Sequence, residues 1–159
     1  MEMPAELLEA FERLHQAGQK EESPPDEPYA KSLEKTNRKL EALNQSWDEI
    51  EKAATAFADA VQAEIEAGAR PDLDVAVILF KEQERRFRLT FSSRLQVQKE
   101  MKRAFFALPH SVRAQAVASN RKQIATYSRL LEGIRALALR LLELRALAMP
   151  SEDARPATS

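Results

Sequence analysis

Glu12 and His15 stand three positions apart in a helix-forming segment, the Glu-x-x-His spacing by which di-iron bundles present a carboxylate and an imidazole on one face. Such a centre needs a second pair and further glutamates from other helices. The other histidine, His110, has Ala107 three residues before it, so the second pair is missing and His15 reads as a structural or surface residue. His110 follows Pro109 in a turn, with no nucleophile or carboxylate beside it. The chain has no cysteine, which removes disulfides and thiolate chemistry. Its three glycines, Gly18, Gly68 and Gly133, are too dispersed to cradle a phosphate, and no Gly-x-Ser-x-Gly elbow occurs. Acidic neighbours such as Asp48-Glu49 and Glu21-Glu22 fall on a solvated face and in a tether. The expectation is a non-enzyme with no metal, no cofactor and no small-molecule substrate.

Cations offer the other chemistry. Lys81, Arg85, Arg88, Lys99 and Arg103 lie close to one line along a helix, a surface that can track a phosphate backbone by releasing its counterions. The phenylalanines of that segment fall on its apolar stripe rather than among these cations, so base-stacking aromatics are not interleaved. Net charge is −1, but residues 1–71 carry 16 acidic and 8 basic side chains, and residues 72–149 carry 7 and 15. The two halves either attract each other inside a bundle or leave the basic half for an anionic partner.

Helices must position all of these groups. Few glycines, few β-branched residues and prolines confined to the borders of three long stretches describe a chain rich in helix. A first helix is expected from Pro4 to Ala17, with Leu7, Leu8, Phe11 and Leu14 on one face and Gly18 as its stop. Residues 19–28 combine charge with proline and read as a flexible linker. From Tyr29, Leu33, Thr36, Leu40, Leu43, Trp47, Ile50, Ala54, Phe57 and Val61 alternate at steps of four and three, a heptad seam that requires partner helices. Gly68 and Pro71 end that helix.

A third helix, capped by Asp72, is expected to reach Leu108. Val75 to Phe80 is apolar all round and predicts burial from more than one side, followed by a stripe of Phe80, Phe87, Phe91, Leu95, Met101, Phe105 and Leu108. Thr90, Ser92 and Ser93 predict a local bend or a close helix approach, and Glu84, Arg94 and Gln98 need partners if buried. A fourth helix, capped by Ser111, runs to Met149 with Val117, Ile124, Tyr127, Leu131 and Ile134 inward. Leucines at 137, 139, 141, 142, 144 and 147 exceed what one neighbour can cover, so this helix sits centrally or packs on a second copy. Residues 150–159 read as a disordered tail.

The fold class expected is all-α: an elongated antiparallel bundle of three long, coiled-coil-like helices over residues 29–149, with a short amphipathic helix over residues 1–18. The N-terminus lacks a basic segment and a long apolar core, and the longest apolar run is far shorter than the roughly 20 residues of a membrane span, so a cytoplasmic protein is expected. The turn around Gly68, with Phe87-Arg-Leu-Thr90 and Arg94, resembles axial rod components of flagella and type III secretion systems over about a quarter of the chain. That resemblance implies a structural subunit.

Together these readings predict protein–protein interaction through helix-on-helix contacts, as an adaptor, chaperone or structural subunit of a bacterial-type assembly or secretion pathway, with a homodimer as one partnership. The partner-binding residues expected are Leu139, Leu142, Leu147, Val75 and Leu79, with Leu7, Leu8, Phe11 and Leu14 of the tethered helix as a second set. The alternative is a nucleic-acid-binding bundle using the five cations named above.

Overall fold

The computed structural model describes residues 2–20 and 24–149. The expected tail at 150–159 and the middle of the linker lie outside them. The described residues contain helix and no strand. In order these are α1 (Ala5–Ala17), α2 (Tyr29–Glu66), α3 (Asp74–Phe87), a π-helical turn (Arg88–Ser92), α4 (Ser93–Glu100), a 3-10 helix (Met101–Ala107) and α5 (His110–Ala148). The expected all-α architecture of three long helical segments and one short one is what forms.

The borders follow from local chemistry. Gly68 takes φ 93°, the left-handed conformation that closes a helix without a Cβ penalty. Leu73, rather than Asp72, takes the N-cap position of α3, and Asp72 accepts the Asp74 N–H at 3.0 Å from one residue further out. Pro109, rather than Ser111, precedes α5, and its fixed φ suits the helix entry. The weak formers at positions 90 and 92 lie in the π turn, which absorbs one extra residue per turn instead of a sharp kink, and Ser93 opens α4. The third segment does not continue as α-helix to Leu108, because it tightens to 3-10 geometry from Met101.

Ion pairs fix the directions. Arg129 reaches Asp48 and Arg140 reaches Asp59, so equal steps along α2 and α5 keep meeting and the two helices run parallel. Arg145 with Asp74, Tyr127 stacked on Phe91 and Asn120 with Gln98 make α3 and α4 antiparallel to α5. Helix α1 is antiparallel to α2, with Arg13 on Glu49, and it wedges between α2 and α3. Around the core the order is α1, α2, α5, α3, and α5 is central to the packing.

Inside, the heptad seam of α2 is buried from Leu40 through Val61. Phe87 meets Phe11, Trp47 and Phe91 edge-on at centroid distances of 6.2, 5.9 and 5.9 Å, and Phe11 also meets Phe80 at 5.7 Å. Each such pair contributes about 0.5–1.5 kcal/mol beyond the apolar area it buries. Arg94, Glu84 and Gln98 find their partners: the Arg94 guanidinium donates to the Gly18 carbonyl at 2.6 Å and lies over Phe91, Glu84 pairs with Lys81, and Gln98 accepts from Asn120.

Two burial patterns differ from expectation. On α3, Val77 and Phe80 point inward while Val75 and Ile78 are exposed, so the segment is not buried from all sides. On α5 the inward face includes Ala116, Ser119, Asn120, Thr126, Leu130 and Ala138, and Val117, Ile124 and Leu131 are only half-buried. Small side chains are required where α2 approaches closely. Gly133 is the extreme case, since a Cβ there would overlap the Trp47 indole. Gly133→Ala is therefore expected to destabilise the protein by about 1–3 kcal/mol through overpacking, although alanine is the better helix former, as urea unfolding would register.

Candidate functional site

The residues expected to bind a partner scatter once the chain is folded. Leu7, Phe11 and Leu14 are core, packed against α2 and α3, and Leu8 is 38% exposed at the margin. Val75 (67% exposed) and the half-buried Leu79 lie on the flank of α3 whose Gln83 and Arg86 bond α1. Leu139 (54%) and Leu147 (65%) stand on the outer face of α5, while Leu142 is half-buried toward α3. Of the cations proposed to track phosphate, Arg85 is held by both carboxylate oxygens of Glu82, at 3.0 and 2.6 Å, and Lys81 lies 3.8 Å from Glu84. The Arg85 hydrogen bond holds the Glu82 carboxyl below its usual range. Arg88, Lys99 and Arg103 are exposed.

A different feature gathers apolar and charged groups. Where the 3-10 helix doubles back onto the start of α5, an open groove of about 690 Å³ forms. Phe105, Phe106, Val117, Ile124 and Ala125 supply its apolar walls, and Lys102, Arg113 and Arg121 its rim. Phe106 is 77% exposed, the most exposed of the large apolar side chains among the described residues. Its position is set by Arg113, which donates to the carbonyls of Phe106 and Leu108 at 3.2 and 3.1 Å. Those carbonyls end the 3-10 helix, and a cation is the fitting partner for them. Asn120 donates to the Gln98 backbone at 2.7 Å and fastens α4 beside the groove.

Folding also redistributes charge. Because α2 and α5 are parallel, Lys31, Lys35, Arg38 and Lys39 come to the same end of the bundle as Lys99, Lys102, Arg103, Arg113, Arg121 and Lys122. The contrast between sequence halves becomes a contrast between the two ends of the molecule. Cross-pairs remain as well: Asp48 with Arg129, Asp59 with Arg140 and Glu12 with Arg86. Each is partly exposed and contributes at most about 1 kcal/mol. The groove thus lies at the basic end. Sequence reasoning missed it because Phe105 reads as a stripe residue and Phe106 was not singled out, and the 3-10 segment turns only the first of them inward.

Glu12 and His15 do not assemble a metal-type site. Glu12 accepts from Arg86 at 3.2 Å, and His15 Nε2 lies 2.6 Å from Gln83 Oε1, an oxygen that can only accept, so Nε2 carries the proton. No group of three or more potential ligand side chains gathers among the described residues, and no helix there is long and apolar enough to cross a membrane.

Burial pushes the His15 pKa below its ordinary value of 6.5, and Arg86 reinforces this against the opposing pull of Gln83 and Glu12. The neutral ring is the form that docks α1. Its contribution is complete above that ordinary value and declines as pH falls through it toward the folded-state pKa. Thermal unfolding should therefore show a Tm that drops on acidification from pH 7.5 to 5.5, and His15→Gln should flatten that slope.

No family model matches this chain, nor does any curated protein or solved structure, so the meaning of the groove rests on its own residues.

Proposed function

We propose that this chain is a non-enzymatic helical interaction module, an adaptor, chaperone or structural subunit, that receives a helix of a partner chain in the groove between the 3-10 helix and α5. The observation that carries this is an apolar floor left uncovered beneath an outward-facing Phe106. Contiguous apolar surface of this kind marks interaction sites on folded proteins. Its shape suits a helix. On α5 the lining residues Arg113, Val117, Asn120, Arg121, Ile124 and Ala125 recur every third or fourth position, so the groove follows about 18 Å of the helix at 1.5 Å per residue. That is about three turns, the footprint over which an amphipathic helix presents its i, i+3, i+4 and i+7 anchors. The rigid bundle behind it costs a partner little ordering entropy.

The variant Phe106→Glu, Ala125→Glu tests this. Both positions are exposed, so stability is expected to change by no more than about 0.5 kcal/mol per site. Affinity capture from the native cell, with the captured protein identified, should lose that protein with the variant while keeping it with wild type. Capture unaffected by the variant would remove the groove from the function.

A second reading, nucleic-acid binding, gains from the exposed Phe106 ring in the groove that Lys102 also lines and from the exposed Lys99 and Arg103 of the same helical segment, since stacking plus phosphate contacts holds single strands. Titration with mixed-sequence single-stranded DNA over a salt series separates the two. A steep loss of affinity with salt, weakened by Lys99→Ala and Arg103→Ala, would favour this reading. No binding at low salt would eliminate it.

A further inference from the structure

We infer that the helix received by the groove is α5 of a second copy, running antiparallel about a two-fold axis beside Glu132. This rests on reading the groove as a helix-docking surface and names its partner.

Helix α5 carries two unpartnered apolar features. One is the groove along its first half, and the other is the pair Leu139 and Leu147, exposed on the outer face of its second half. Val117 and Leu147 lie fifteen positions either side of Glu132, Arg121 and Glu143 eleven, and Ala125 and Leu139 seven. An antiparallel pairing centred on Glu132 therefore sets the leucines of each copy against the groove of the other. Ala125, small and exposed, leaves room for the leucine opposite it.

Charge selects the direction. In the antiparallel register Arg121 on the groove rim meets Glu143, and the contact occurs twice. Arg135, one turn beyond Glu132, brings positive charge toward the carboxylates at the axis. The neighbouring cations on the other flank of α5, Arg129 and Arg140, are already bound to Asp48 and Asp59 and stay with their own chain. A parallel register would stack Arg121 on Arg121 and Glu143 on Glu143, and would leave each groove without its leucine. An isologous contact needs one surface to complement itself, which is the property that this face of α5 has.

Light-scattering or sedimentation mass of the full chain at micromolar concentration tests the pairing. A dimer is expected, with Leu139→Glu monomeric. Arg121→Glu and Glu143→Arg should each weaken the dimer by about tenfold or more, and the double variant should restore it, because reversing both charges rebuilds both pairs. All the substituted positions are exposed, and an unchanged helical circular dichroism spectrum confirms that each variant is folded. A monomeric wild type, a dimer indifferent to Leu139→Glu, or a double variant no better than its parents would overturn the inference. If wild type is monomeric and Phe106→Glu, Ala125→Glu still abolishes capture of another protein, self-pairing falls and the docking groove stands.

Discussion

Phe87 is where the four walls of the bundle meet, and the rest of the packing is arranged around it. Its ring touches Phe11 of α1, Trp47 of α2 and Phe91 of the π turn, and Phe91 passes the contact to Tyr127 of α5 by stacking at 5.7 Å. His15 closes the circle with an edge contact at 5.5 Å. Aromatic rings prefer such edge-on and offset arrangements, so the cluster specifies angles as well as burying area. It also explains why a 13-residue helix at the N-terminus belongs to the fold. Without Phe11 and Leu14, the rings of Phe80 and Phe87 would face water between α2 and α3. A helix this short is marginal alone and takes its stability from docking.

Other constraints descend from this one. Trp47 reaches the cluster only because Gly133 leaves space on α5. The Trp47 indole N–H is buried with no acceptor among the described residues, a cost of about 1–3 kcal/mol that the ring contacts must outweigh. Arg94 spans the junction, donating to the carbonyl at the end of α1 while its guanidinium covers Phe91. Beyond Gly18, α1 no longer supplies a wall, and the helical path opposite shifts from α to π to α to 3-10 geometry. Packing is regular where α1 supplies a wall, and the backbone opposite turns irregular near where α1 stops. The irregular end is also where the groove opens.

Much of the architecture was legible from periodicity. The seam of α2 repeats strictly, and seven of its positions in succession, Leu40 to Val61, are buried. Gly68, Pro71 and Pro109 punctuate the chain as their backbone preferences require, whereas Gly18, in right-handed geometry, ends α1 where the Phe91 ring leaves little room for a Cβ. On α5 the reading was less complete, because hydrophobicity ranks Val117 and Ile124 above Ser119 and Thr126. Close approach of helices selects for size, and Thr126 and Asn120 are buried with their hydrogen bonds made, to Asn44 and Gln98. The groove was harder still. Nothing in Phe105-Phe106 says which ring turns out, since that follows from the tighter 3-10 pitch and from Arg113 holding the carbonyls. The gathering of cations at one end likewise needed the parallel alignment of α2 with α5, a relation between segments some 80 positions apart.

That separation bears on how the protein is made. Phe11 leaves the ribosome well before Phe80 and Phe87, and at about 5–20 residues per second the interval is several seconds. The N-terminal helix, with its leucines and phenylalanine, must pass that time without its α3 wall. The charged side chains Glu2, Glu6, Glu9, Glu12 and Arg13 then act as a solubilising coat for a nascent segment waiting on the rest of the chain.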